Sequence, residues 1–311
     1  MGNQLYICSG YLLLSNLNST VDDDHVFTAS IAVIITNFLL SIFGTFLNLL
    51  IIVSYVINNR LRASSNLLLV ALAFSDLTVT MIVQPIYVVT KVNEALGNYN
   101  CLLLAVMEML THFCCGISLT TIAVLSVERF INLAYPFRCQ SITSPARLKA
   151  SLGLSWFGMF IFSITQTMFQ ITSPALFQLL GCIIIVISMS IVVAVWIWIW
   201  LLVRHQNNKI KSSQETCHMT NIHYLKSQQN TKTSFLIIAV VLFCYFPIVV
   251  INIIYYFERR DFFYRYHIDP WCYTTAYANS ALNPLLLFWR RKAFRETAKS
   301  ILCFEERVEV L

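Results

Sequence analysis

Of 311 residues, 58% are hydrophobic and only 12% charged, against roughly 45–50% and about 25% in ordinary soluble domains. A soluble core has no use for so much apolar surface, so the expected solvent of this chain is a lipid bilayer. The net charge of +6 does not point to nucleic acid, because Lys and Arg are divided among short segments between apolar runs.

Taken in chain order, residues 1–27 hold Cys8 and the sequon Asn18-Ser19-Thr20, which makes Asn18 a candidate glycosylation site. They carry neither a basic n-region nor a cleavage site, so the first apolar run is expected to act as its own uncleaved signal. Seven apolar runs follow, at roughly 28–57, 66–92, 101–134, 149–171, 175–203, 233–257 and 270–289. A spanning helix needs about 20 apolar residues, and uninterrupted runs of this length fit helices and not barrel strands. The predicted fold is therefore an all-α membrane protein, a bundle of seven transmembrane helices. Between the fourth and fifth runs, "TQTMFQITSP" predicts the turn of a helical hairpin.

After the last run, "WRRKAFRETAKSIL" (Trp289–Leu302) places Phe294, Ala298, Ile301 and Leu302 on one helical face and basic residues on the other. That pattern predicts an amphipathic helix lying on anionic lipid, with Cys303 as a candidate lipidation site. The organisation expected is an extracellular N-terminus (1–27), a bundle (28–289), a membrane-surface helix (290–303) and a cytoplasmic tail (304–311). Orientation follows from charge: seventeen of the 21 Lys and Arg residues fall on one set of alternate connections, with only Lys91, Arg259, Arg260 and Arg265 opposite. The positive-inside rule puts that richer side, and the C-terminus, in the cytoplasm of a plasma-membrane protein.

The sequence shows no Cys/His cluster at metal spacing, no Gly-rich phosphate loop and no serine elbow, so no enzymatic chemistry is expected. Cys114, Cys115, Cys182 and Cys244 sit inside apolar runs as small buried hydrophobes. The informative residues are polar ones at membrane depth: Asn48, Asp76, Glu108, Ser118, Asn279, Ser280 and Asn283. An ionised side chain at a helix centre costs roughly 2.5–3.5 kcal/mol on insertion scales, so these groups should face the interior. Asp76 has no Lys or Arg at its depth, and a buried carboxylate must be protonated or meet a cation. Pro247 and Pro284 each remove a backbone hydrogen bond from a predicted helix. In "VLSVERFINLAYPF", Glu128 and Arg129 stand side by side where a helix leaves the lipid.

These features occur in an order that resembles the rhodopsin-like (class A) G-protein-coupled receptors. The resemblance rests on "GTFLN" with Asn48, "NLLLVALAFSD" with Asp76, "SLTTIAVLSVERF" followed by "AYPF", Trp156 in "LGLSWFGMF", "FCYFP" and "NSALNP". It covers about 28–303, nearly the whole chain. It implies that Glu128 restrains Arg129 at the cytoplasmic mouth until the sixth helix swings out and Arg129 meets a heterotrimeric G protein. Asn283, Pro284 and Leu287 fall in the coupling switch, and Cys244, Tyr245 and Pro247 in the sixth-helix toggle. Asn48, Asp76, Ser118, Asn279, Ser280 and Asn283 correspond to a sodium pocket, with sodium as an allosteric modulator and no cofactor required. Arrestin is a further implied partner.

The chain also departs from the family's pattern. Leu287 replaces the NPxxY tyrosine, Tyr245 the CWxP tryptophan, and Val241 the phenylalanine six residues before Pro247. The segment before the sixth helix, "KSQQNTK", offers no acid to Arg129, which leaves Glu128 as its identifiable restraint. No Cys lies between Cys139 and Cys182, so the second extracellular loop cannot supply the usual disulfide partner. Either Cys101 is free, or two of Cys8, Cys101 and Cys272 pair. The short cysteine-free loop is loosely similar to that of melanocortin receptors, although Asn283 stands where those typically carry Asp.

Thr111 occupies the position of the monoamine receptors' aspartate, and Tyr277 that of the opsin lysine. Glu108, Thr111, His112, Phe113, Tyr245, Phe246, Tyr273 and Tyr277 are the expected lining of the ligand pocket, with peptide, lipid and other small-molecule ligands all open. The competing expectations are a seven-helix protein that binds ligand or scaffolds without activating G proteins, and a transporter. Against a transporter stand the lack of an internal repeat and of a second midplane charge.

Overall fold

The computed structural model describes residues 23–62, 64–96, 100–135, 138–172, 174–212, 236, 238–254 and 267–303. Helix α1 spans Asp23–Ile57 and is followed by a 3-10 turn, Asn59–Leu61. Helix α2 joins an α-helical stretch, Ser64–Thr78, through a π-helical turn, Val79–Val83, to a second stretch, Gln84–Ala95. Helix α3 is Cys101–Ala134, capped by Asn100, whose side chain accepts from the Leu103 amide. A short turn of helix, Cys139–Ile142, leads to α4 (Pro145–Thr172) and α5 (Pro174–Ser212). Helix α6 is described over Ile238–Ile254, α7 is Asp269–Arg290 and α8 is Lys292–Leu302. Among the described residues the fold is all-α, a bundle of seven helices with a short eighth.

Helices α1 to α5 each contain a stretch long and apolar enough to cross a membrane. The side chains they turn outward are apolar. On α1, Phe38, Leu39, Ile42, Phe43 and Phe46 are all exposed, while Asn37, Ser41 and Asn48 of the same helix are buried. Water would drive the opposite arrangement; hydrocarbon as solvent rewards this one, because a polar group facing lipid has no partner. Helix α7 is more polar, and its Asn279, Ser280 and Asn283 point inward.

Two prolines set the pairing among α1, α2 and α7. Within the π-helical turn, the Gln84 amide bonds the Val79 carbonyl five residues back. Pro85 has no N–H to repeat this with Thr80, so that carbonyl is left over. The Ser41 hydroxyl takes it, at 2.6 Å. Pro284 likewise frees the carbonyl of Ser280, four residues back, and Asn48 Nδ2 donates to it at 2.9 Å. Each proline thus recruits a donor from α1.

Gly44 lets these helices meet: a Cβ there would lie 2.5 Å from Thr80 Cγ2 and 3.2 Å from Ala281 Cβ. Thr80 is β-branched and has little rotamer freedom in a helix. Gly44→Val is expected to lower the unfolding midpoint of the purified chain in detergent, overpacking costing about 1–3 kcal/mol. Gly116→Ala should move it less, because the added methyl meets the flexible end of Met159.

Helix α3 packs against α2, α4 and α5. Trp156 of α4 donates its indole N–H to Thr121 at 3.0 Å and stacks on Phe74 of α2. Trp196 of α5 donates to Ser126 at 3.3 Å. The predicted hairpin between α4 and α5 is present: Gln166 Nε2 lies 3.1 Å from where a Cβ on Gly181 would sit. Helix α8 folds back on α1, with Phe294 and Ala298 buried and Asn58 Nδ2 donating to Thr297 at 2.8 Å.

Several helices outrun their expected bounds. Helix α1 begins at Asp23, α4 at Pro145, and α5 continues to Ser212. The connection expected from Arg204 therefore starts as helix, with the Arg204 guanidinium 5.3 Å from the Trp200 ring. An aromatic face and a polar head together suit a membrane interface.

Candidate functional site

Three polar layers run down the bundle. The first lies towards the end where α3 begins. Tyr277 of α7 is wholly buried, and its hydroxyl shares a 2.8 Å hydrogen bond with Thr111 of α3. The Tyr87 ring of α2 meets Tyr277 edge-on at 5.3 Å, and Tyr273 lies 6.2 Å from both. Beside them Asn37 donates to Thr274 at 2.8 Å, and Tyr87 donates to the Pro270 carbonyl at 3.2 Å. Glu108, about one turn from Thr111, is buried, and its carbonyl is 2.7 Å from His112 Nδ1.

Two expected pocket residues lie elsewhere. Phe246 is 67% exposed and shares the outward face of α6 with Phe243, Val250 and Ile253. Adjacent helical residues point about 100° apart, so with Tyr245 buried, Phe246 turns away. Phe113 packs edge-on against Phe160 of α4, 5.9 Å between ring centres, on the α4 side of α3. Cys244 and Tyr245 are buried on the inner face of α6. Tyr87 and Met107 belong to the aromatic layer and escaped the sequence reading, although Tyr87 stands two residues after Pro85 in a polar-flanked stretch.

Asp76 forms the second layer and is fully buried. Its Oδ1 accepts from Ser280 at 2.9 Å and Ser118 at 3.1 Å, and its Oδ2 from Asn283 at 2.8 Å. Three helices thus converge on one carboxylate. Ser75, absent from the predicted pocket, lies 3.0 Å from the Ser118 hydroxyl. Asn48 bonds the Gly44 and Ser280 carbonyls and does not touch Asp76. Asn279 is buried without a hydrogen-bond partner on either side-chain atom. A small cavity opens beside the carboxylate, polar where Asn48, Asp76 and Asn283 line it and apolar where Ile51, Leu72 and Leu287 do. Carboxylate, hydroxyl and amide oxygens are the donors a hard monovalent cation takes, and Asn48 Oδ1 and Asn283 Oδ1 have no hydrogen-bond partner. The residues fit such an ion.

The third layer is where α3 ends. Glu128 and Arg129 are each only 3% exposed, with Arg129 Nε 3.3 Å from Glu128 Oε2. Asn132 Nδ2 donates to Glu128 Oε1 at 2.6 Å, and Thr143, beyond the short helical turn, donates to Asn132 Oδ1 at 3.4 Å. Leu287 is buried, and Pro284 lies within α7.

The model of the 7 transmembrane receptor (rhodopsin family) matches residues 47–287, a stretch that contains the buried tyrosines, Asp76 and the Glu128–Arg129 pair. The chain belongs to this family. Among its relatives, the adenosine receptor A3 of Canis lupus familiaris is 23% identical over 274 residues, covering 80% of this chain and 84% of that one. The adenosine receptor A3 of Bos taurus is 22% identical across 91% of this receptor and 93% of its own length. A 5-hydroxytryptamine receptor 7 from Xenopus laevis reaches 32% identity, over 133 residues, 42% of this receptor and 28% of that protein. As a member of this family the protein is a membrane receptor and not an enzyme.

Of the disulfide candidates of this receptor, Cys272 is a free thiol buried in the core. Pairing through it is therefore corrected: its position on the packed face of α7 turns the sulfur inward. Cys8 and Asn18 lie outside the described residues, as does the side chain of Cys101. Cys303 is exposed at the end of α8.

Proposed function

We propose that this receptor lies in the plasma membrane with its N-terminus outside, and that Glu128 and Arg129 gate its coupling to heterotrimeric G proteins. The observation that carries this reading is the buried ion pair at the end of α3. Exposed pairs contribute little to stability, but two charges held at 3% exposure bear a desolvation cost that offsets much of their attraction. Glu128 is fixed by Asn132, and Arg129 is the partner that would leave the pair. Asn283, Pro284 and Leu287 on α7, and Cys244, Tyr245 and Pro247 on α6, form the moving surround. Arrestin would engage the same cytoplasmic mouth.

The ligand enters at the end where α3 begins. Thr111 is bonded to Tyr277 and offers no carboxylate, which disfavours a simple amine; the buried tyrosines favour a ligand with an aromatic or apolar body. Sodium, held by Asp76 with Ser118, Ser280 and Asn283, would supply the counter-charge that the buried carboxylate otherwise lacks and would favour the resting state. A second reading, a receptor that binds ligand or scaffolds without activating G proteins, draws on Leu287 and Tyr245, which depart from the motif residues of the family.

The test is nucleotide exchange on a panel of purified G-protein heterotrimers, using membranes that contain the full chain and matched membranes without it. Exchange above the control on at least one class is expected. Silence across the panel, together with recruitment of arrestin by a screened ligand, would favour the second reading.

A further inference from the structure

Arg291 lies at the junction of α7 and α8, closing the first and opening the second. Its backbone N–H completes α7 by bonding the Leu287 carbonyl at 2.8 Å. Its side chain turns inward: Nε and Nη2 are both buried and neither has a hydrogen-bond partner. Glu128 Oε2 is also buried, and although Arg129 Nε lies at 3.3 Å it accepts no hydrogen bond. Two donor positions and one acceptor position, complementary in charge, are thus left over at the same end of the bundle. No ion pair joins them within 4 Å among the described residues. The two sites do feel each other: burial first and then the Arg129 charge push the Arg291 guanidinium down to about 10, with Glu128 opposing the change. Arg291 therefore stays cationic at neutral pH. One buried cation, one half-buried cation and one buried carboxylate share this end of the bundle.

We infer that Arg291 is a positioning residue for signal transfer: it takes over Glu128 when Arg129 leaves that carboxylate. The inference rests on the reading of Glu128 and Arg129 as the gate. An ion pair broken by removal of one buried partner strands the other, at a cost large enough to forbid the opened state. Asn132 alone, a neutral donor to Oε1, does not neutralise Glu128. Arg291 does, from an element anchored on α1 through Asn58 and Thr297 that need not move with α6. The family's lock partner on the sixth-helix segment is missing here, since "KSQQNTK" carries no acid. The exchange of one arginine for another stands in its place.

The experiment measures thermal unfolding midpoints of the purified full chain and needs neither ligand nor G protein. Arg129→Gln mimics departure of the first cation. In that background Arg291→Gln should lower the midpoint by about 5 °C more than it does in the wild type. The extra loss should vanish when Glu128→Gln is also present, and Arg291→Lys should restore most of it. Arg129→Lys provides a milder background should the glutamine variant not fold. Equal shifts from Arg291→Gln in all backgrounds would overturn the exchange and leave the gate reading intact. A chain that activates no G protein yet shows the extra loss would keep the exchange and sink the gate reading.

Discussion

Arg129→Ala is expected to abolish whatever nucleotide exchange the wild-type chain promotes, at matched surface expression and on every G-protein class that responds. The side chain is buried beside Glu128 with Nε at 3.3 Å. Under the proposed gating its value lies in the opened arrangement, where a long cationic fork would extend from a rigid helix towards a partner. Alanine removes the fork and leaves α3 intact, since alanine is the best helix former. It also removes Glu128's paired cation; breaking a buried pair costs about 3–5 kcal/mol where no second cation takes over the carboxylate. Surface expression must therefore be matched before signals are compared. Exchange that persists in the variant would show that another residue carries the coupling.

Asp76 is expected to produce the second large effect, on stability and on sodium dependence together. Three donors from two other helices end on its two oxygens. Asp76→Ala leaves the Ser280 and Asn283 donors without this acceptor, at about 1–3 kcal/mol each, while Ser118 keeps Ser75; the unfolding midpoint should fall by many degrees. Asp76→Asn keeps one acceptor oxygen and should be milder. If sodium binds here, the wild-type midpoint rises in sodium chloride relative to choline chloride at equal ionic strength. At ten times the dissociation constant the gain is about 1.4 kcal/mol. Asp76→Asn should erase that difference, because the neutral amide gives a cation no counter-charge. A wild-type midpoint identical in the two salts would exclude a sodium site.

Both predictions begin from residues that sequence reasoning singled out, and the reason is the solvent. In a bilayer every polar side chain at depth is conspicuous against its background, so Asn48, Asp76, Ser118, Asn283, Glu128 and Arg129 could be named before any coordinate was known. Span lengths were legible on the same ground, because hydrocarbon thickness fixes how many apolar residues a helix must string together. The hairpin between α4 and α5 followed from a local turn.

The misses share a different character. Phe246 and Tyr245 are neighbours in an apolar run, and which of them faces inward depends on the rotation of α6 about its axis. Phe113 turned to α4 for the same reason. Cys272 was grouped with Cys8 and Cys101 because all three were placed outside the lipid, but the rotation of α7 buries its sulfur. The pocket oxygens around Asp76 were anticipated as a set, yet Asn279 has no part in the hydrogen bonds and Ser75 has one through Ser118.

The sequence by itself determined that this chain crosses a membrane seven times, that its polar residues turn inward, and that it carries the motifs of its family in order. The tertiary structure alone decided which polar groups meet. Asp76 and Asn283 are 207 residues apart, and their 2.8 Å contact is fixed by the relative rotation of two helices, which no local pattern encodes. The same holds for Arg291. As a residue in a basic run it reads like its neighbours Arg290 and Lys292, and only the turn from α7 into α8 buries its Nε and Nη2 instead of leaving them to water.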